Sequence, residues 1–324
     1  MPSRSIPWRP LVLASAAALA VTTGLSFLGR LFWLGEILSH FRPSLAFGSA
    51  LLTVLALATR QRLAVALAAA AAIVNALPLL PYVTPPGASI AAATATPLKL
   101  MIFNLHGHHA DRLGLQQLVA RERPDIIVLT ELPGERHERL DLFNGAFLEI
   151  PYIVLDDLGS PHDVVVYSRW PLRATVTDRG ISRSLPVVSV DLCEPPDSAA
   201  TPRCLRLVAL HSARPLDGGA PARDAQLERA GVLAAAAPSG RAIVAGDLNL
   251  TPWSPVFADL LARGGLRDSG IGRGLVATWL TRFILLGLPI DHVLVSDAFD
   301  VRDRRIGPDL GSDHLPVIVE LGLR

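Results

Sequence analysis

Lysine is almost missing from residues 97–324, and acidic residues are almost missing from everything before them. The C-terminal part holds one lysine, Lys99, within 24 Lys and Arg against 28 Asp and Glu, a formal charge of −4. No basic run interleaved with aromatic residues occurs in it. Nucleic-acid binding draws most of its affinity from Lys and Arg contacts to phosphates, so this composition weighs against a nuclease. The first 96 residues carry six Arg and a single acidic residue, Glu36. The near-neutral total therefore joins a basic, membrane-like part to a mildly acidic one. Cysteine is scarce as well: the chain has two, Cys193 and Cys204, so one disulfide is the most it can form.

What is abundant is apolar. Half of the residues are hydrophobic, and the excess lies in three early segments, Leu11 to Leu28, Ser44 to Ala58 and Leu63 to Val83. The first and third are long enough to cross a bilayer, for which roughly 17–25 residues are needed; the second is marginal. A cleaved signal peptide is the competing reading of the first segment, but no clear small-residue cleavage site follows it and two more apolar segments come after. A buried or re-entrant helix is the competing reading of the second. Arg4 and Arg9 precede the first segment and Arg60 and Arg62 separate the second from the third, so both clusters belong on the inner side. Arg30 and Arg42 in the intervening outer loop count against this orientation. With three spans the chain leaves the membrane on its outer face after Tyr82, and with two on its inner face. Residues 1–83 thus read as a membrane region with about three helices, residues 84–97 as a Pro/Ala/Thr-rich linker, and residues 98–324 as one large domain.

Within that domain strands and helices alternate. Leu98 to Leu105, Asp125 to Thr130, Val164 to Ser168, Ala174 to Thr177, Leu185 to Leu192, Leu205 to Leu210, Ala242 to Ala245, Ile290 to Val295 and Leu315 to Leu321 read as strands. Gly114 to Arg123, Arg223 to Ala237 and Ser254 to Ala262 read as helices. The pattern predicts mixed sheets packed on each other with helices outside. Cys193 and Cys204 fall at facing ends of two neighbouring strands, where a cross-strand disulfide is expected in an oxidising compartment, with two unpaired thiols as the alternative.

Polar residues with chemistry sit at the ends of these strands. Asn104 ends the first and Glu131 ends the second, and both offer the oxygen donors that a hard cation such as Mg²⁺ takes. His211 ends the strand from Leu205. In Gly246-Asp247-Leu248-Asn249 the alternation places Asp247 and Asn249 on one side of an extended segment, and Gly246 permits close backbone approach by a ligand. Asp291-His292 opens one of the last strands, and Gly311-Ser312-Asp313-His314 precedes the other. Carboxylates beside histidines supply metal ligands and a general base within a few residues.

Six ordered segments, Phe103-Asn104-Leu105, Leu129-Thr130-Glu131, Leu210-His211-Ser212, Gly246-Asp247-Leu248-Asn249, Ile290-Asp291-His292 and Gly311-Ser312-Asp313-His314, resemble the endonuclease/exonuclease/phosphatase superfamily of DNase I-like enzymes. With the apolar segments in front, the chain resembles the bacterial membrane-anchored branch of that superfamily. The resemblance implies an α/β four-layer sandwich of two mixed sheets flanked by helices, and metal-dependent hydrolysis of phosphoesters. It implies Mg²⁺, with Mn²⁺ as the alternative, held by Glu131 with Asn104 and Asp313. It implies His314 as general base oriented by Asp291, Asp247 as the group that positions the attacking water or the phosphate, and His211 and Asn249 as contacts to phosphate oxygens. One departure stands out. Several nucleases of the superfamily carry an acidic residue where this chain has His106, followed by His108 and His109; this loop binds phosphate, recruits a softer metal, or is simply solvated.

An outward-facing site tethered to a bilayer meets phosphorylated lipids first. The expected substrate is therefore a lipid-linked phosphate or pyrophosphate. A membrane-tethered nuclease acting on nucleic acid is the second reading, and a catalytically inactive ligand-binding module is the third. The intact set of base, orienting acid and metal ligands argues against the last. The apolar segment Leu275 to Leu288 either leans over the site toward the membrane or packs on the domain core.

Overall fold

The computed structural model describes residues 8–85, 97–134, 146–156, 161–195, 203–216, 219–238, 240–280 and 286–324. Most of the linker expected at 84–97 lies outside the described residues. Four helices form the N-terminal region: α1 (Trp8–Leu28), α2 (Trp33–His40), α3 (Arg42–Ala58) and α4 (Arg62–Val83). By length and composition α1 and α4 suffice to cross a membrane, and α2 with α3 forms a third candidate bent by 68°. Packing of α1, α3 and α4 runs through small residues, with Ala16, Ala56, Ala64 and Ala68 fully buried. Small side chains let helices approach closely where solvent offers no hydrophobic drive. Their outward faces are apolar and open, as at Val21, Leu51, Val54, Leu63 and Ile73.

Residues 98–324 build two six-stranded mixed sheets. The first has the order β11-β12-β1-β2-β4-β3 and the second β5-β6-β7-β8-β10-β9. Its members are β1 (Leu98–Asn104), β2 (Ile126–Thr130), β3 (Tyr152–Asp156), β4 (Val164–Ser168), β11 (Phe299–Ile306) and β12 (Val317–Leu323). The second comprises β5 (Leu172–Asp178), β6 (Val187–Cys193), β7 (Cys204–His211), β8 (Ala242–Asp247), β9 (Leu266–Asp268) and β10 (Asp291–Ser296). Each sheet holds one parallel pair, β1 with β2 and β7 with β8, while every other pairing is antiparallel.

Strand alternation assigns the faces. Leu98, Leu100 and Ile102 from β1 meet Leu205, Leu207 and Ala209 from β7 in the core between the sheets. The other face of β1, Met101 and Phe103, packs on Leu115, Leu118 and Val119 of α5 (Arg112–Glu122). Val208 and Leu210 pack instead on α6 (Ala220–Ala235) and α7 (Pro255–Gly264). The result is helix, sheet, sheet, helix: the expected four layers. Strands buried on both faces read as continuous apolar runs, which is why they were visible in sequence. Cys193 and Cys204 are register partners of β6 and β7 and form a disulfide.

Three strands and one helix go beyond the sequence reading. β3, β9 and β11 are sheet edges, and β11 carries Asp300, Arg302, Asp303, Arg304 and Arg305. Edge strands lack one partner and bear charge to discourage further pairing, so they lose the apolar signature. Helix α2 occupies the loop between the first two apolar segments and docks on the large domain. Glu36, 2% exposed, accepts hydrogen bonds from Arg223 at 2.6 Å and from the Ser254 hydroxyl at 2.9 Å. Trp253 Nε1 donates to the His40 carbonyl at 3.0 Å, and His40 Nδ1 lies 2.9 Å from Thr251 Oγ1. At the end of α4 the Pro81 and Tyr82 carbonyls accept from Gly272 and Gly274 at 2.9 and 2.8 Å. Just beyond α1, Arg30 forms a two-pronged pair with Asp259 at 2.8 Å. The end of α1, the start of α3 and the end of α4 therefore all face the catalytic-type domain.

Candidate active site

Sheet register brings the strand-end residues to one place. Asn104 is the last residue of β1, and Glu131 follows β2, its parallel neighbour. His211 and Asp247 are register partners at the carboxyl ends of β7 and β8. Asp291, which opens antiparallel β10, pairs with Asp247. β12 runs antiparallel to β1, so His314, three residues before it, arrives at the Asn104 end. Carboxyl ends of parallel strands are where open α/β sheets bind ligands, and here two sheets present theirs to each other.

Asn104 stands at the centre. Its Nδ2 donates to Glu131 Oε1 at 3.1 Å and to Asp247 Oδ2 at 3.0 Å, while its Oδ1 accepts from the His106 amide at 2.9 Å. His211 Nε2 lies 3.5 Å from Asp247 Oδ2 and 3.7 Å from Glu131 Oε1. The other ring nitrogen, Nδ1, donates to the Pro161 carbonyl at 3.0 Å. In the neutral ring Nε2 thus offers a lone pair to the cluster, and in the charged ring a donor. Asn249 Nδ2 sits 3.2 Å from that Nε2 and donates to the Ser212 carbonyl at 2.8 Å.

His314 and Asp291 form a buried couple. His314 Nδ1 is 2.9 Å from Asp291 Oδ2, leaving Nε2 free toward Asp247 Oδ2 at 3.7 Å. Burial opposes charge on His314, but Asp291, and behind it Asp247 and Asp313, outweigh it and raise its pKa to about 9. Burial likewise works against the Asp291 carboxylate, yet the imidazolium at 2.9 Å overrides this and holds its pKa below the usual range. Asp247 moves the other way: burial, then repulsion from Asp291, pushes its carboxyl up.

Asp247, Asn249 and Gly246 converge differently from the extended segment that their spacing suggests. Asp247 and Asn249 do not share one side of an extended segment, because Asn249 adopts a left-handed φ of 49°. They converge because the Asn249 amide donates to Asp247 Oδ1 at 2.9 Å in a tight turn. Gly246 serves a neighbouring strand: at φ 141°, a Cβ there would lie 1.9 Å from the Leu210 carbonyl oxygen. Glu131 is also left-handed, at φ 49°, which turns its carboxylate out of the strand line and into the cleft.

Asp313 and His106 sit at the rim. His106 Nδ1 lies 3.0 Å from Asp313 Oδ1, Trp279 Nε1 donates to Asp313 Oδ2 at 2.9 Å, and Asp313 Oδ1 is 4.0 Å from His314 Nε2. His106 stacks on His109 with ring centroids 4.3 Å apart. Of the apolar segment Leu275 to Leu288, the base packs on the core, with Thr278 buried and Trp279 bridged to both Leu288 and His314. Residues 281–285 of it lie outside the described residues.

The sequence reading missed His162, whose ring lies 4.8 Å from His211, and whose pKa is lowered to about 4 by burial and then by His211. It missed Arg214, which reaches Glu131 Oε1 at 3.5 Å from the rim. It also missed Ile37, His40 and Phe41, which line the same cleft as Asp247, Asn249 and His314. Pro161-His162-Asp163 at a strand start was a readable signal; nothing in the sequence of α2 indicates its partner.

Whether a cation fits can be judged from the donors. Ligand atoms of Glu131, His211 and Asp247 all lie within 4.8 Å of one another, as do those of Asp247, Asp291 and His314. The Asn104 N–H groups already bridge the Glu131 and Asp247 carboxylates, where a positive charge is needed to offset two acids. A hard divalent cation with oxygen donors suits that place.

Residues 101–314 match a model of the endonuclease/exonuclease/phosphatase family. No curated protein matches the chain. Solved structures share the fold, three of them as follows. An endonuclease/exonuclease/phosphatase from Beutenbergia cavernae is 20% identical, with a TM-score of 0.55 over 71% of this chain and 72% of that one. D. rerio TDP2 complexed with a single-strand DNA product is 16% identical, with a TM-score of 0.57 over 70% and 100%. The 3'-5' exonuclease NExo from Neisseria meningitidis is 20% identical, with a TM-score of 0.51 over 68% and 98%.

Proposed function

The chain belongs to the endonuclease/exonuclease/phosphatase family, whose members are metal-dependent phosphoester hydrolases, and from that premise we propose that it is a membrane-anchored enzyme hydrolysing a lipid-linked phosphate or pyrophosphate. The observation that carries this reading is the position of the cluster: His314, Asp247 and Asn249 open into a cleft that is walled in part by Ile37, His40 and Phe41 of the N-terminal region.

His314 is the general base. Asp291 fixes its Nδ1, so in the neutral imidazole Nε2 carries the lone pair that takes a proton from water as the water oxygen attacks phosphorus. The new P–O bond forms while the bond to the leaving oxygen breaks, and that oxygen carries the electron pair away. Asp247, with Oδ2 3.7 Å from His314 Nε2, positions the water. His211 and Asn249 donate to the phosphoryl oxygens where negative charge grows. Glu131 and Asn104, with Asp313 from the rim, would hold Mg²⁺; Mn²⁺ suits the same donors. When bound, the cation stabilises charge on the phosphoryl group. His106, paired with Asp313, extends the phosphate site at the rim.

The same geometry supports an extracytoplasmic hydrolase domain. The ends of α1 and α4 and the start of α3 all face the hydrolase domain, while Arg60 and Arg62 lie between the far ends of α3 and α4. With positive charges inside, three crossings put the domain on the extracytoplasmic side. The 17 residues of α3 reach about 25 Å, enough for a crossing with modest local thinning.

The test is inorganic phosphate release from a polyprenyl pyrophosphate by the full chain in detergent with Mg²⁺, set beside nicking of supercoiled plasmid. Release that EDTA abolishes, without nicking, supports the reading. EDTA-sensitive nicking without release would move the enzyme to nucleic acid. Metal-independent behaviour in both assays would point to a binding module.

A further inference from the structure

Helix α2 is docked too firmly, and too near the reacting atoms, to serve as a passive connector. The cleft at the catalytic cluster has a volume of about 290 Å³. One end is polar, formed by Asp247, Asn249 and His314. Its apolar walls are Ile37 and Phe41 from the α2–α3 junction, Leu216 from the loop after β7, and Trp279, Leu288 and Ile290 around the 279–288 bridge. Ile37 and Phe41 are only part-buried, so their apolar surface faces the open cleft.

The wall is held rigidly. Glu36, one residue before Ile37, is a buried anion on Arg223 and Ser254. A buried charge is tolerated only when paired, so α2 cannot leave the domain without exposing both partners. His40, one residue before Phe41, is tied to Thr251 and Trp253. Ile37 in α2 and Phe41 at its end each follow one of these anchors directly, and both line the cleft.

We propose that the Ile37–Phe41 face forms a subsite for the hydrocarbon chain of the phosphorylated lipid, so that membrane region and hydrolase domain build the active site jointly. The occupant follows from continuity: the cleft is polar where phosphate chemistry occurs, and its far wall runs directly into α3, a candidate bilayer-crossing helix with an apolar outward face. A molecule with a phosphate head and an apolar chain satisfies both ends. Nucleic acid suits the Ile37–Phe41 face poorly, because those two side chains offer nothing to a phosphate; Arg214, which also lines the cleft, reaches Glu131 at 3.5 Å. This inference rests on the lipid-phosphate reading and adds where the chain binds and which residues select it.

The experiment uses the full chain in detergent and two pyrophosphates with the same head group, one on a five-carbon and one on a fifteen-carbon isoprenoid tail. kcat/KM for phosphate release is compared between the native protein, Phe41→Ala and Ile37→Ala. Removing several apolar groups from a substrate pocket costs about tenfold or more. The expected result is at least a tenfold fall on the long tail and less than a twofold change on the short one. Retained short-tail activity shows that each variant is folded. Ile37→Phe, which narrows the cleft without removing apolar surface, is expected to lower the long-tail rate alone. Equal hydrolysis of both tails by the native protein, or equal effects of the variants on both, would overturn the subsite and leave the lipid-phosphate reading standing. No release from either substrate would overturn that reading, and the subsite with it.

Discussion

Asp291→Asn is the perturbation that most sharply separates a histidine held and oriented by its carboxylate from a merely structural one. Asp291 is the neighbour that chiefly holds the His314 pKa near 9, against burial that alone would lower it. Relative to an ordinary histidine near 6.5, the shift is worth about 3 kcal/mol at 1.36 kcal/mol per unit. The sign follows from linkage. A group whose folded-state pKa is raised stabilises the fold fully below its unfolded pKa and loses that contribution as pH rises through the folded value. The metal-free native protein therefore loses about 3 kcal/mol between roughly pH 6.5 and 9.5, and the substituted protein does not. The deficit of Asp291→Asn is largest near pH 6 and shrinks toward pH 9.5. ¹⁵N-histidine spectra of metal-free full chain in detergent read the pKa directly, and melting at pH 6 and 9.5 reads the stability. The His314 resonance is expected to titrate near 9 in the native protein and well below that after substitution. An unchanged His314 pKa, or a stability deficit of equal size at both pH values, would refute the reasoning.

Other outcomes follow from named contacts. Glu131→Gln removes the carboxylate assigned to the cation; the Mg²⁺ concentration for half-maximal activity should rise at least about tenfold, and an unchanged Mg²⁺ titration would remove Glu131 from the metal set. Glu36→Ala takes from Arg223 its buried counter-ion and leaves it only the half-exposed Asp224 carboxylate, which costs on the order of 1.5–3 kcal/mol; a melting temperature equal to that of the native chain would contradict the docking of α2. Cys193 and Cys204 close a loop with a sequence separation of 11, worth about 2–3 kcal/mol in the unfolded chain; the Cys193→Ser/Cys204→Ser protein should melt earlier, and two free thiols in denatured, unreduced native protein would disprove the bridge.

How far the molecule was readable before its structure depended on where each signal lay. Strands buried on both faces, such as β1, β2, β7 and β8, announce themselves as unbroken apolar runs. Asn104, Glu131, His211, Asp247, Asp291 and His314 stood out because each interrupts or bounds such a run. Their convergence needed register: Asp247 opposite Asp291 and beside His211 is a property of pairing, not of spacing. β11 was hidden by its own charges, and β9 by its three residues. The turn at Asn249 was read as extended because a left-handed residue leaves no mark when it is not glycine. Helix α2 was the largest omission. Glu36 and His40 look like solvent-facing loop residues until Arg223 and Thr251, some two hundred positions away, are placed against them.

The most direct test of the central claim is the rate of phosphate release from a polyprenyl pyrophosphate by the Mg²⁺-loaded full chain, native against His314→Ala, at saturating substrate. Loss of the base removes a contribution of about 10²–10⁴-fold. The account predicts a fall of at least a hundredfold with Mg²⁺ binding retained. Release by His314→Ala within a few-fold of the native rate would contradict it.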